Sequence, residues 1–160
     1  MSKSDMIREE LTQLGSGAHA LAIQILGNPD DARDVVQDSF AVVLGRPNAY
    51  DASKGPLRPW FLRLVRNRCI DLIRSQRPSA PVDEQPAGSD TDPQVAAENS
   101  QRDAALKAAL QSLEPEQREI IVLRDYMDLS YAEIAGVLDV PAGTVMSRLH
   151  RARLALGKAY

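Results

Sequence analysis

The sequence predicts an all-α protein: two small helical domains joined by a flexible, Pro-rich acidic linker. Hydrophobic residues make up 44% of the 160 residues but aromatics only 4%, so the apolar content comes mainly from Ala, Leu, Val and Ile. That mix suits helices better than a sheet sandwich, whose strands favour aromatic and β-branched residues. The apolar residues recur at helical spacing on both sides of one interruption. That interruption is Pro78 to Pro93, PSAPVDEQPAGSDTDP, with four prolines, one glycine, four acids and only Val82 as a sizeable apolar residue. A segment of this composition buries too little surface to order itself. The expected division is a domain over 5–77, a linker over 78–101 and a domain over 102–160, each marginal in size for standing alone.

In the first domain, Asn28-Pro29-Asp30-Asp31 supplies an N-cap residue, a first-turn proline and two acids near the positive end of a helix dipole. A helix starts there and ends near Gly45 to Pro47. Ala32, Val35, Val36, Phe40 and Val43 form its inner stripe; Asp34, Gln37, Asp38 and Ala41 form another. Asn48 to Pro59, NAYDASKGPLRP, reads as a loop. Trp60 to Gln76 resumes the helical period, with Phe61, Leu62, Val65, Cys69, Leu72 and Ile73 inward. At 100° per residue, Arg63, Arg66, Arg74 and Arg77 fall within about 80° of one another on the opposite side, bordered by Trp60, Asn67 and Asp71. Spacing alone leaves two readings of that stripe: a solvated basic face, or a surface that tracks phosphates.

In the second domain, Leu106, Ala109, Leu110 and Leu113 mark one short helix, and Pro115 opens another carrying Ile120, Ile121 and Leu123. Ser130-Tyr131-Ala132-Glu133 matches a capping box and starts a helix to Leu138 that buries Ile134, Ala135 and Leu138. After the short turn Asp139-Val140, Pro141 takes a first helical position and the last helix runs to about Leu156, with Gly157 as its C-terminal cap. Two helices joined by so short a turn describe a helix-turn-helix, the alternative being an ordinary small bundle with a basic C-terminus. Val145, Leu149, Ala152 and Leu156 face the core of that last helix. Met146, Ser147, His150 and Arg151 point outward, with Arg148 on the flank.

The formal charge of −3 is unevenly spread. Residues 54–78 carry seven basic residues against one acid, residues 79–105 one against six, and Val140 to Tyr160 four against none. Two basic segments separated by an acidic one fit a nucleic-acid partner despite the acidic total. A single cysteine, Cys69, excludes an intramolecular disulfide framework, and with only His19 and His150 beside it the chain offers no structural zinc set. Cys69, on the apolar stripe, reads as a buried small hydrophobe. No apolar run approaches the ~18 residues of a membrane span, and Met1-Ser2-Lys3-Ser4-Asp5 lacks a signal pattern, so a cytoplasmic protein without membrane insertion is expected. No Gly-rich phosphate loop, nucleophile elbow or metal-ligand cluster appears; neither enzymatic activity nor a cofactor is expected.

Three stretches in order, DDARDVVQDSFAVVL (Asp30 to Leu44), PWFLRLVRNRCIDLIRSQR (Pro59 to Arg77) and LSYAEIAGVLDVPAGTVMSRLHRARLAL (Leu129 to Leu156), resemble regions two and four of an extracytoplasmic-function (ECF) sigma factor of the sigma-70 family. The resemblance implies a dissociable initiation subunit of bacterial RNA polymerase, active in a stress or envelope response and held by an anti-sigma factor. Asp34, Gln37 and Asp38 match positions that dock on the beta-prime clamp helices; the beta flap is a second expected contact. Asn48, Tyr50, Lys54, Trp60, Arg63, Arg66, Asn67, Arg74 and Arg77 match the part that melts and reads the minus-ten element. Arg124, Thr144, Met146, Ser147, Arg148, His150 and Arg151 match the part that binds the minus-thirty-five element in double-stranded DNA. Met146 stands where the family usually has a basic residue, and Asp139 where a turn glycine is common. Promoter elements some twenty-five base pairs apart lie about 85 Å apart at ~3.4 Å per pair. An extended Pro78 to Gln101 covers up to roughly 80 Å, and the domain radii supply the rest. Two alternatives are a dimeric helix-turn-helix regulator, against which the Arg63 to Arg77 stripe argues, and a decoy that sequesters an anti-sigma factor, against which Arg148 and Arg151 argue.

Overall fold

The computed structural model describes residues 2–76 and 99–159. Most of the expected linker, and with it Arg77, lies outside the described residues, although the last three linker positions are already helical. All regular structure among the described residues is helical.

Before Asn28, where no element is assigned from the sequence, the chain forms a 24-residue helix, α1 (Lys3–Leu26). Ser2 caps it through a 3.2 Å bond from the Asp5 amide, and Gly27, at φ 73°, closes it with an N–H donated to the Ile23 carbonyl. The expected helix α2 (Pro29–Gly45) follows, its first amides satisfied by the Asn28 side chain at 2.9 and 3.1 Å. Two 3-10 turns, Pro47–Ala49 and Ala52–Lys54, occupy the expected loop. Helix α3 (Leu57–Ser75) starts three residues earlier than expected. Pro59 is tolerated because it falls in the first turn, where amides have no intrahelical partner.

These three helices bury Leu11, Leu21, Ala32, Val43, Phe61, Leu62 and Val65 in one core, with Phe40 stacked on Phe61 at 5.3 Å between centroids. Ile73, expected inward, is 40% exposed, because the core contacts of α3 end at Leu72. Cys69 is fully buried as expected, and burial pushes its thiol up to about 12. Native protein at pH 8 is therefore expected to resist an aromatic disulfide reagent, with one thiol titrating on addition of denaturant. Rapid reaction without denaturant would contradict this placement.

The C-terminal half comprises α4 (Asn99–Ser112), α5 (Pro115–Ile121), α6 (Tyr131–Leu138) and α7 (Ala142–Ala159). Glu114 and Gln117 form a capping box at α5, and Ser130 and Glu133 form the expected one at α6. Helix α5 widens into a π-turn over Val122–Tyr126, where the Met127 amide reaches back five residues to the Val122 carbonyl. Asp139 ends α6 in the left-handed conformation, φ 57°, a state in which Asp and Asn carry less penalty than other side chains. Pro141 precedes α7, its carbonyl accepting the first helical bonds. Gly157 does not cap α7, which continues to Ala159.

The two halves pack against each other. Helix α3 lies on α6, and α1 on α5 and the π-turn, so one apolar cluster runs through both. The halves approach closely at Gly17, where an added Cβ would displace the tip of the Met127 side chain, while Gly136 meets Pro59 at ordinary contact distance, 3.8 Å from a built Cβ.

Candidate nucleic-acid interface

Asp34, Gln37 and Asp38 are all exposed on one side of α2, opposite the buried Ala32, Val36 and Val43. Val42, 36% exposed, extends the strip by another turn.

The loop before α3 exposes Asn48 and Lys54 as expected, but Tyr50 turns inward. Its hydroxyl donates to the Gly55 carbonyl at 2.7 Å, its carbonyl accepts from Lys3 Nζ at 2.9 Å, and its ring lies 5.2 Å from Trp60. Burial, with Glu10 and Asp51 nearby, raises its phenol above the usual value. Tyr50 thus shapes the loop rather than presenting a free ring, and half-buried Trp60 is the aromatic left at the rim.

Along α3, Arg63, Asn67 and Arg74 are exposed, whereas Arg66 is drawn into the contact between the halves and pairs with Glu119 of α5. Arg63 reaches Asp139 at 3.4 Å, and Arg58 binds Glu133 bidentately at 2.9 and 2.6 Å. Of the described stripe residues, Arg63 and Arg66 are thus ion-paired with the C-terminal half, whereas Arg74 stays exposed. Glu119 is 4% exposed, and its burial raises its carboxyl against the pull of Arg66. Glu133 is held below the ordinary carboxylate range, chiefly by its hydrogen bond from Arg58. The sequence shows no sign of these acids' partners: the pairings join residues 53 and 75 positions apart, and Glu133 is already accounted for by its cap.

On α7, Val145, Leu149 and Ala152 are buried, while Met146, Ser147, His150 and Arg151 are exposed together and Arg148 is half-buried on the flank, as the spacing predicts. The Thr144 carbonyl accepts from the Ser147 hydroxyl. Arg153, counted among the four basic residues of this segment, is ion-paired with Asp125 of the π-turn. Arg124 donates to the Leu129 carbonyl at 2.7 Å and lies 5.0 Å over the Tyr131 ring, so it also braces the entry to α6.

Two family models match the chain: sigma-70 region 2 over residues 9–79 and sigma-70, region 4 over residues 103–156. The ECF RNA polymerase sigma factor RpoE of Cereibacter sphaeroides is 33% identical, over 79% of this chain and 69% of that protein. The chain belongs to the ECF sigma factors. A further ECF sigma factor, SigE of Mycolicibacterium smegmatis, is 35% identical over 91% of this chain, which spans 58% of that relative's length. The fold of the present chain matches that of the sigma factor RpoE of Bartonella quintana, solved in complex with the anti-sigma factor NepR, at a TM-score of 0.72 and 24% identity, covering 95% and 94% of the two chains. CnrH, solved with the cytosolic domain of CnrY, matches at a TM-score of 0.68 and 25% identity, covering 95% and 85%. In this ECF sigma factor, α2 and α3 lie within the region 2 match, and α6 and α7, apart from the end of α7, within that of region 4.

Proposed function

We propose that the chain docks on core RNA polymerase through Asp34, Gln37 and Asp38 and directs initiation at promoters that its two halves read separately. The observation that carries this reading is the presence, in one chain, of a region 2 match and a region 4 match, each with an exposed face of the required chemistry. The α3 arginines hold phosphates near the melted start region, with Trp60, Asn48 and Lys54 beside the unstacked bases. Helix α7 enters the major groove, where Ser147, His150 and Arg151 reach base edges, Met146 offers apolar contact to a thymine methyl, and Thr144, Arg148 and Arg124 serve the backbone. Core polymerase and promoter DNA are its partners, and an anti-sigma protein its regulator; this last point rests on family membership. Its proposed place of action is the cytoplasm; no described helix is long and apolar enough to cross a membrane.

The test of the α3 role uses Arg63→Ala with Arg74→Ala, both exposed, because removing Arg66 would leave buried Glu119 without its countercharge. Each lost phosphate contact removes close to one unit of salt slope, so the double variant is expected to flatten log affinity against log salt by about one to two units. Permanganate footprints of open complexes with core polymerase are expected to weaken in parallel. An unchanged slope with normal melting would contradict the assignment.

A further inference from the structure

We propose that Lys3 and Tyr50 form a clasp that holds the loop between α2 and α3 in its base-binding shape, which makes the first turn of α1 a positioning element for promoter reading. The inference rests on the proposed reading of this loop and Trp60 as the surface beside the unstacked bases, and it names the residues that set that surface's shape.

Three contacts converge on Tyr50. Its hydroxyl donates to the Gly55 carbonyl at 2.7 Å and so closes the chain over the second 3-10 turn. Its own carbonyl accepts from Lys3 Nζ at 2.9 Å, a bond across 47 positions of sequence that ties the loop to α1. Its ring, 8% exposed, lies 5.2 Å from that of Trp60. One residue thereby links the end of the loop, the start of α1 and the aromatic at the rim. Gly55 sits at φ 142°, which L side chains rarely adopt, so the carbonyl that accepts from Tyr50 belongs to a backbone state particular to glycine.

The surroundings favour a fixed loop over a pliant one. Burial, with Glu10 and Asp51 nearby, raises the Tyr50 phenol, which keeps the proton it donates. The Asp51 carboxylate fixes the second turn, accepting from the Ser53 amide at 2.9 Å and hydroxyl at 2.7 Å. Asn48 and Lys54 remain exposed, so the frame is held by groups other than those left for DNA. A loop ordered beforehand loses less conformational entropy on binding, and a fixed shape rejects bases that a pliant one would accommodate.

Lys3 brings charge as well as a hydrogen bond, and the two roles separate experimentally. A lysine that contacts phosphate adds close to one unit of salt slope, whereas one that acts through Tyr50 leaves the slope alone and alters base discrimination.

The test compares the full chain with its Lys3→Met, Lys3→Arg and Tyr50→Phe variants. Methionine keeps the length of Lys3 without a donor, arginine restores a donor, and phenylalanine removes only the hydroxyl, so the helices and core persist. Trp60 is the single tryptophan, and its emission reads the loop directly. Lys3→Met and Tyr50→Phe are expected to shift that emission to longer wavelength and to increase its quenching by acrylamide, while Lys3→Arg keeps the wild-type values. The DNA probes are fluorescent twenty-nucleotide oligo(dA), oligo(dC) and oligo(dT). The affinity ratio between the tightest and weakest of them is expected to fall about threefold in Lys3→Met and Tyr50→Phe, the effect of one lost hydrogen bond, and to recover in Lys3→Arg at an unchanged salt slope.

Wild-type emission and base preference in both Lys3→Met and Tyr50→Phe would overturn the clasp; a loss of preference in Trp60→Ala would then leave the DNA role of the loop standing. A salt slope lower by about one unit in Lys3→Met, with unchanged Trp60 emission, would also overturn it, by showing Lys3 to be a phosphate contact. Equal wild-type affinity for the three probes, unaltered by Trp60→Ala, would remove base capture by the loop and the clasp with it.

Discussion

Replacing Asp34, Gln37 and Asp38 together with alanine is expected to weaken binding to core RNA polymerase by about a hundredfold while leaving the far-ultraviolet spectrum unchanged. The three side chains are exposed on the side of α2 away from its buried valines, so none contributes to the core. Alanine is the strongest helix former, and the Asn28 cap and Pro29 that start the helix are untouched, so α2 persists. The loss falls on the interface: removing charged partners from a desolvated contact costs roughly 2–5 kcal/mol. Retention of core polymerase in a pull-down at wild-type level would show that another face docks.

On α7, Arg151→Ala and Arg148→Ala are expected to fail in different ways. Arg151 is exposed beside Ser147 and His150 and has only a 3.4 Å bond to the Ser147 carbonyl, so its guanidinium is free to turn to a base edge. Its removal is expected to cost about 1–3 kcal/mol on the cognate upstream element and less on a scrambled one. Arg148 is half-buried on the flank, within the field of Glu119, and suits a phosphate. Its loss is expected to weaken both sequences nearly equally. Titrations of the full chain on the two duplexes at one salt concentration separate the outcomes; equal losses for Arg151→Ala would move base reading to another residue.

How far the sequence reveals this depends on the range of the interactions involved. Helices α2 and α6 are legible because their starts are local: Asn28-Pro29 and the Ser130/Glu133 box satisfy amides within three residues. The outward set on α7 is legible for the same reason, since a 3.6-residue period needs no knowledge of the partner. Helix α1 is not. Gly15 and Gly17 interrupt its pattern and lower its propensity, and what they pack against, the Phe40 ring and the Met127 side chain, is remote in sequence. The start of α3 is missed because Pro59 reads as a breaker, although a first-turn proline loses no helical bond. Gly157 misleads in the opposite sense, as a glycine that stays within a helix.

The stripe on α3 shows the limit most clearly. Its angular spacing is visible in the sequence, and so is its excess charge, but Arg66 is claimed by a carboxylate 53 positions away that sits among isoleucines. Tyr50 is a similar case: the resemblance matches it to the part that reads the minus-ten element, and its burial and its bond to Gly55, which hold the loop, are not visible in the sequence.

The central claim, that this chain confers promoter specificity on polymerase, is tested most directly by adding the purified protein to sigma-free core RNA polymerase on fragmented genomic DNA and mapping the 5′ ends of the transcripts. The account predicts a small set of discrete start sites absent with core alone, each preceded by the same two short elements about twenty-five base pairs apart, or ~85 Å of duplex. Transcripts identical to those of core alone would contradict it.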